Sequence, residues 1–144
     1  MTRLMEAHSV SLFQHGIFVL HSGRASGFKI ECDALSDTDW VALSMVGASL
    51  VGPFGQVIGV PRGGTRLAEA LAEHRTPSAG RLLIVDDVLT TGMSMEEMRR
   101  KCARDDVIGL VAFARGLCPD WVIPIFQMTQ PLPVVESPSV QGAP

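Results

Sequence analysis

The sequence predicts an α/β fold, a mostly parallel central sheet flanked by helices, with a small N-terminal flap or hood. Three observations predict it. Continuously apolar runs at 57–60, 82–85 and 107–114 have the length of strands buried on both faces. Segments with helical spacing of apolar residues alternate with them, which implies βαβ units. Two of the runs lead into small-residue turns, Pro61–Thr65 and Thr90–Ser94. Open α/β sheets bind ligands at such turns, outside the carboxyl ends of their strands.

The chain of 144 residues has the size of one domain, and a hydrophobic content of 47% is enough for a packed core. The expected organisation is a single domain over 1–130, with about 10–35 as the flap. Residues 131–144 follow as a loose tail with four prolines. A net charge of −3 without a basic block argues against a nucleic-acid partner. Cys32, Cys102 and Cys118 have no C-x-x-C spacing. That argues against a disulfide framework or a zinc site and for a reducing, cytoplasmic setting. No apolar run approaches membrane-spanning length, and the N-terminus lacks the design of a signal peptide. His8, His15 and His74 show no metal-ligand spacing.

In chain order, residues 2–8 are expected as a short helix. Gly16–His21 and Phe28–Cys32 are strand candidates around the polar loop Ser22–Gly27, and they form a hairpin-like flap outside the main sheet. Asp37-Thr38-Asp39 opens a helix to about Val51, with Trp40, Leu43, Val46 and Leu50 at helical spacing. Gly52-Pro53-Phe54-Gly55 stops it. After the short strand 57–60, Gly64 or Thr65 caps a helix through about Arg75. Its apolar face is Leu67, Ala68, Leu71 and Ala72. Thr76–Gly80 links to the strand at 82. A helix from Ser94 ends near Ala103, the next strand is Val107–Ala114, and Trp121–Met128 is a last strand interrupted by Pro124.

The chemistry concentrates in 82–94, Leu-Leu-Ile-Val-Asp-Asp-Val-Leu-Thr-Thr-Gly-Met-Ser. It reads as strand, acidic tip, loop and helix start, with Ser94 and Glu97 as a capping box. The unpaired N–H groups of a tight loop entering a helix attract phosphate. Thr90, Thr91 and Ser94 add hydroxyls, and Gly92 admits close backbone approach. Asp86 and Asp87 would repel a phosphate. They suit ribose hydroxyls, which donate to carboxylates, or a hard cation such as Mg²⁺. Such a loop is shaped for a ribose 5-phosphate. Pro61-Arg62-Gly63-Gly64 is a second phosphate-binding candidate, with exposed N–H groups and a planar guanidinium.

The stretch resembles the phosphoribosyl-pyrophosphate (PRPP) signature of the type I phosphoribosyltransferases: apolar residues, Asp-Asp, a hydrophobic residue, then Thr-Thr-Gly. The resemblance covers roughly residues 10 to 120 and implies that family's fold. It assigns PRPP to Asp86, Asp87, Val88, Leu89, Thr90, Thr91, Gly92, Met93 and Ser94, and its pyrophosphate to Pro61, Arg62, Gly63 and Gly64. Asp86, Asp87 and Arg62 are then the catalytic candidates. Mg²⁺ is the implied cofactor, held by Asp86 and Asp87 mainly through water or PRPP. Phe18–Ser26 is similar to a segment of the orotate phosphoribosyltransferases, with His21 where that family usually has lysine. It implies base-binding roles for His21, Ser22 and Lys29. Arg115, at a strand end, matches an arginine that pairs with the base's carboxylate. Trp121 and Phe126 are candidates to stack on a flat base.

The implied function is therefore transfer of a nitrogenous base, most closely orotate, to PRPP with release of pyrophosphate, in a homodimer. The alternatives are a purine or other pyrimidine phosphoribosyltransferase, or a non-enzymatic PRPP- or nucleotide-binding regulator. The regulator gains weight from one departure. The orotate family has a long basic loop between the helix after the pyrophosphate loop and the PRPP strand. Here only Thr76–Gly80 is available.

Overall fold

The computed structural model describes residues 11–19 and 25–128. Two strands, β1 (Phe13–Val19) and β2 (Ala25–Ile30), pair antiparallel as a separate two-stranded sheet. This is the flap, and it lies outside the main sheet as the sequence predicts. A 3-10 turn at Cys32–Ala34 leads to helix α1 (Asp37–Val51). Then follow β3 (Gln56–Gly59), α2 (Thr65–Ala72), β4 (Leu82–Leu89), α3 (Met93–Cys102), β5 (Val107–Ala114) and β6 (Val122–Gln127). The main sheet has the order β3-β4-β5-β6, and all three neighbouring pairs are parallel. Pro124 sits inside β6. It is tolerated there because β6 is an edge strand and one side of it needs no ladder donor.

Side chains alternate along 82–85 of β4 and 110–112 of β5 and build two core layers. On one face Leu83, Val85, Leu110 and Ala112 pack with Trp40 and Val51 of α1 and with Leu67 and Leu71 of α2. On the other, Leu82, Ile84 and Val111 pack with Met95 of α3 and with Val122. The fold is thus three layers, with α1 and α2 on one side and α3 on the other. The flap is joined to the sheet at its base, where the Phe13 ring meets Phe113 edge-on at 6.2 Å. Among the described residues no helix is long and apolar enough to cross a membrane.

Four sequence expectations need correction. The buried face of α1 is Trp40, Ser44, Gly47 and Val51, whereas Val46 and Leu50 are exposed. Almost every residue of this helix is apolar or small, so periodicity has no polar face to fix its rotation. Close approach fixes it instead, since a Cβ on Gly47 would lie 2.5 Å from Leu110 Cδ2. The flap strands begin three residues earlier than expected, at Phe13 rather than Gly16 and at Ala25 rather than Phe28. Helix α2 ends at Ala72, three residues before Arg75. Finally, β4 does not stop at Val85 but runs through the aspartate pair to Leu89. The expected helix at 2–8 and tail at 131–144 lie outside the described residues.

Trp40 is 2% exposed, and its indole N–H has no hydrogen-bond partner among the described residues. An unsatisfied buried donor costs about 1–3 kcal/mol, while emptying an aromatic core site costs about 3–5 kcal/mol. Trp40→Phe is therefore expected to cost far less stability than Trp40→Ala. Urea denaturation of the two variants checks this, and equal losses would contradict it.

Candidate active site

Two loops at the carboxyl end of the sheet meet across β4. The first, residues 60–64, leaves β3 and enters α2 through Gly64, whose backbone is the helix N-cap. Its glycines are required by contact. A Cβ on Gly64 would lie 2.4 Å from the Val85 carbonyl oxygen, and one on Gly63 would lie 2.3 Å from Asp87 Oδ1. The backbone of this loop is thus seated on β4 and against the Asp87 carboxylate. The Pro61–Arg62 peptide is cis. The Arg62 side chain is exposed at the rim.

The second loop connects β4 to α3. Gly92 has φ of 83°, a left-handed conformation that favours glycine, and serves as the N-cap of α3 without a side-chain cap. The expected Ser94–Glu97 capping box does not form, because Ser94 already lies inside the helix. Thr91 Oγ1 accepts from the Met93 N–H at 3.3 Å. Thr90, Thr91, Met93 and Ser94 are exposed, so hydroxyls and the first N–H groups of a ten-residue helix face outward together. Val88 and Leu89, by contrast, pack into the two core layers. Their side chains hold the loop rather than reach a ligand.

The adjacent carboxylates follow the buried run of β4 and hydrogen-bond to one another. Asp87 turns toward the face of α1 and α2, against Gly63 and beside Cys32. Burial, and then the negative charge of Asp87, push the Cys32 thiol well above its ordinary range. Asp86 lies 8% exposed in the core. Its Oδ1 accepts from the Asp87 N–H at 2.8 Å, and Asp87 Oδ1 accepts from the Val88 N–H at 2.7 Å. Burial foremost, then hydrogen bonding to Asp87 and its charge, raise the Asp86 pKa to about 8.

Arg115 leaves β5 beside the second loop, its N–H donating to the Leu89 carbonyl at 2.8 Å. Its guanidinium crosses to the flap, donating to Ser26 Oγ and lying 4.0 Å over the Phe28 ring. The structure thus joins Arg115 to the flap. Lys29 is on the opposite face of β2 from Ser26 and Phe28, ion-paired with Glu31 at 2.9 Å. It is not brought together with Arg115. His21 and Ser22 lie outside the described residues. Trp121 precedes β6 at the amino end of the sheet and packs on α3, away from any base beside Arg115. Phe126 stacks on Phe113 at 5.4 Å.

Sequence reasoning missed the segment that braces the second loop. Residues 115–121 connect β5 to β6 without a helix and run along the start of α3. A Cβ on Gly116 would lie 2.3 Å from the Thr90 carbonyl oxygen, and one on Gly92 would lie 3.8 Å from Pro119 Cδ. The Trp121 indole N–H donates to Glu96 Oε1 at 2.7 Å, and the Arg99 guanidinium covers its ring at 5.0 Å. Gln127 Nε2 also donates to the Gly116 carbonyl at 3.1 Å. The short Thr76–Gly80 linker lies at the other end of the sheet. The Thr76 N–H donates to the Phe54 carbonyl at 2.8 Å, and a Cβ on Gly55 would lie 1.9 Å from Ala79 O. It cannot reach the two loops. A groove of about 470 Å³ between Phe13, Leu43, Phe113 and Met128 is almost wholly apolar and contains neither loop.

A carboxyl whose folded pKa is raised binds its proton more tightly folded than unfolded. Stability then falls as pH rises from the unfolded value near 4 toward the folded value of about 8. Asp86→Asn removes this loss. Its melting-temperature gain over wild type should grow with pH across that window and level off above it. A gain independent of pH, measured by calorimetry, would show that Asp86 is not the group responsible.

No protein-family model matches the sequence, and no curated protein sequence does. Solved structures do match. An orotate phosphoribosyltransferase from Aeropyrum pernix superposes with a TM-score of 0.67 at 22% identity, covering 81% of this chain and 88% of that one. The orotate phosphoribosyltransferase of Mycobacterium tuberculosis H37Rv gives 0.55 at 18% identity, covering 72% of this chain and 76% of that one. The UMP synthase of Leishmania donovani gives 0.60 at 15% identity; the match covers 81% of this chain but 33% of that longer one. The parallel sheet and its three helices thus have the fold of the orotate phosphoribosyltransferases.

Proposed function

We propose that the chain is a type I phosphoribosyltransferase that joins a nitrogenous base, orotate foremost, to C1′ of PRPP and releases pyrophosphate. The observation that carries this is the meeting of the two loops across β4, where Gly63 closes on the Asp87 carboxylate. In this reading Thr90–Ser94 hold the 5′-phosphate. Asp86 and Asp87 accept from the ribose hydroxyls. Arg62 and the N–H groups of Gly63 and Gly64 hold the pyrophosphate.

The donor set suits Mg²⁺ only in part. Asp86 and Asp87 offer hard oxygens, but no cluster of three ligating side chains occurs among the described residues. The ion would be held mainly by PRPP oxygens and water, and when bound it would neutralise charge on the pyrophosphate. The chain's own work is positioning the two reactants and stabilising the charge that departs. Arg115 is charged, lies at the mouth between flap and sheet, and suits an anionic base. The three cysteines are free thiols, which fits a reducing cytoplasm.

A PRPP-binding regulator is the second reading, favoured by the position of the Thr76–Gly80 linker away from the loops. The proposed homodimer draws support from α1, whose outer face exposes Val41, Met45, Val46 and Leu50. Light scattering should give a dimer that Met45→Glu dissociates, and a monomeric wild type would refute it.

Calorimetry with PRPP and Mg²⁺ tests the core of the proposal. Asp86→Asn with Asp87→Asn should weaken binding at least about tenfold, the worth of one lost charge-assisted hydrogen bond. Equal binding by wild type and double variant would overturn it. Turnover across a panel of bases then separates enzyme from regulator. Arg115→Ala should lower activity on orotate about ten- to a hundred-fold more than on an uncharged pyrimidine. Equal losses would make Arg115 a strut for the flap alone.

A further inference from the structure

We infer that Trp121 is a positioning residue that sets phosphate affinity by drawing the Glu96 carboxylate away from the β4–α3 loop. The inference rests on the phosphoribosyl reading of that loop. Glu96 stands in the first turn of α3. Its Cα is about 4.5 Å along the axis from the first helical residue. Helical side chains lean toward the N-terminus, so an untethered Glu96 would lean toward the loop's own N–H groups. A carboxylate there stabilises the helix, but it competes with a phosphate for the same positive field. The loop would then carry a built-in rival to its ligand.

The geometry removes that rival. The indole N–H of Trp121 donates to Glu96 Oε1 at 2.7 Å, which draws the carboxylate sideways toward the start of β6. Indole N–H is a donor only, so it suits an ionised carboxylate and offers a phosphate oxygen no competing acceptor. Trp121 is itself held. Arg99, one turn further along α3, lies over its ring at 5.0 Å. A Cβ on Gly109 would meet the ring at 2.8 Å, so the absent side chain makes room for the indole. Pro119, two residues earlier, lies 3.8 Å from where a Cβ on Gly92 would be. The 115–121 connection therefore lies against the loop at Gly116 and restrains the loop's competitor through Trp121.

The charge and the tether can be changed separately. Glu96→Asp keeps the charge but shortens the side chain beyond reach of the indole. Glu96→Gln keeps an oxygen that accepts from the indole but loses the charge. Isothermal titration with PRPP and with ribose 5-phosphate at low salt reads both. Glu96→Asp should raise Kd about two- to fivefold, the effect of one freed charge at a helix N-terminus. Glu96→Gln should leave Kd at or below the wild-type value. Trp121→Phe should weaken binding like Glu96→Asp, and adding Glu96→Gln to it should restore the affinity. A tryptophan with a merely structural role would not be rescued by removing a charge. If the two Glu96 substitutions act alike, the inference fails, whether or not Trp121→Phe folds. If wild type binds neither probe, the phosphoribosyl reading fails and takes this inference with it. Wild-type binding with an unaffected Glu96→Asp overturns this inference alone.

Discussion

The seating of the Gly63–Gly64 backbone on β4 is the constraint on which the rest of the site depends. Neither position has room for a side chain, because Val85 O lies where one Cβ would be and Asp87 Oδ1 where the other would be. This contact makes one site of two loops from different βα units. It also sets the start of α2, since Gly64 is the N-cap, and α2 in turn packs through Leu67 and Leu71 beneath β4. A larger residue at either position would push the loop off the strand. The N–H groups on one side and the carboxylates on the other would then no longer face a common ligand.

The continuation of β4 through the aspartates has an energetic consequence. In a loop, both carboxylates would be solvated and ionised at little cost. In β4, Asp86 is only 8% exposed, and burial disfavours its charge. A hydroxyl donor or a cation would stabilise that charge in place of the missing water. The free protein is thus destabilised locally at Asp86, the position where a ribose diol is proposed to bind.

Much of this was legible in the chain. The run Val107–Ala114 matches β5 residue for residue, because a strand buried on both faces contains nothing but apolar residues. Asp86-Asp87 followed by Thr-Thr-Gly located the carboxyl end of β4, though the charges made the strand look shorter than it is. The rotation of α1 was not legible, since a nearly all-apolar helix offers several equivalent stripes and only Gly47 against Leu110 selects one. The Ser94–Glu97 pattern pointed to the right turn but the wrong cap. Gly92 took that position through its backbone, leaving the hydroxyls outward. The strap over α3 had no local signal at all. Trp121 and Glu96 are 25 residues apart, and nothing in either neighbourhood marks the other.

The two ends of the sheet complete the argument about cover. A lid must reach the carboxyl end, and the connection that is long and basic in the orotate enzymes is here short and bound to Phe54 and Gly55 at the opposite end. Closure excludes water and strengthens every electrostatic contact inside a site, so it bears on rate more than on binding. Binding depends instead on rigid parts. Gly116 is fitted under Thr90, Pro119 lies beside Gly92, and Gln127 holds Gly116 from the neighbouring strand. Bracing of this kind holds the loop in one conformation, which lowers the ordering cost of binding a ligand there. In the proposed reading these rigid parts grip the sugar phosphate, and the exposed Arg62 stands beside the loop proposed for pyrophosphate.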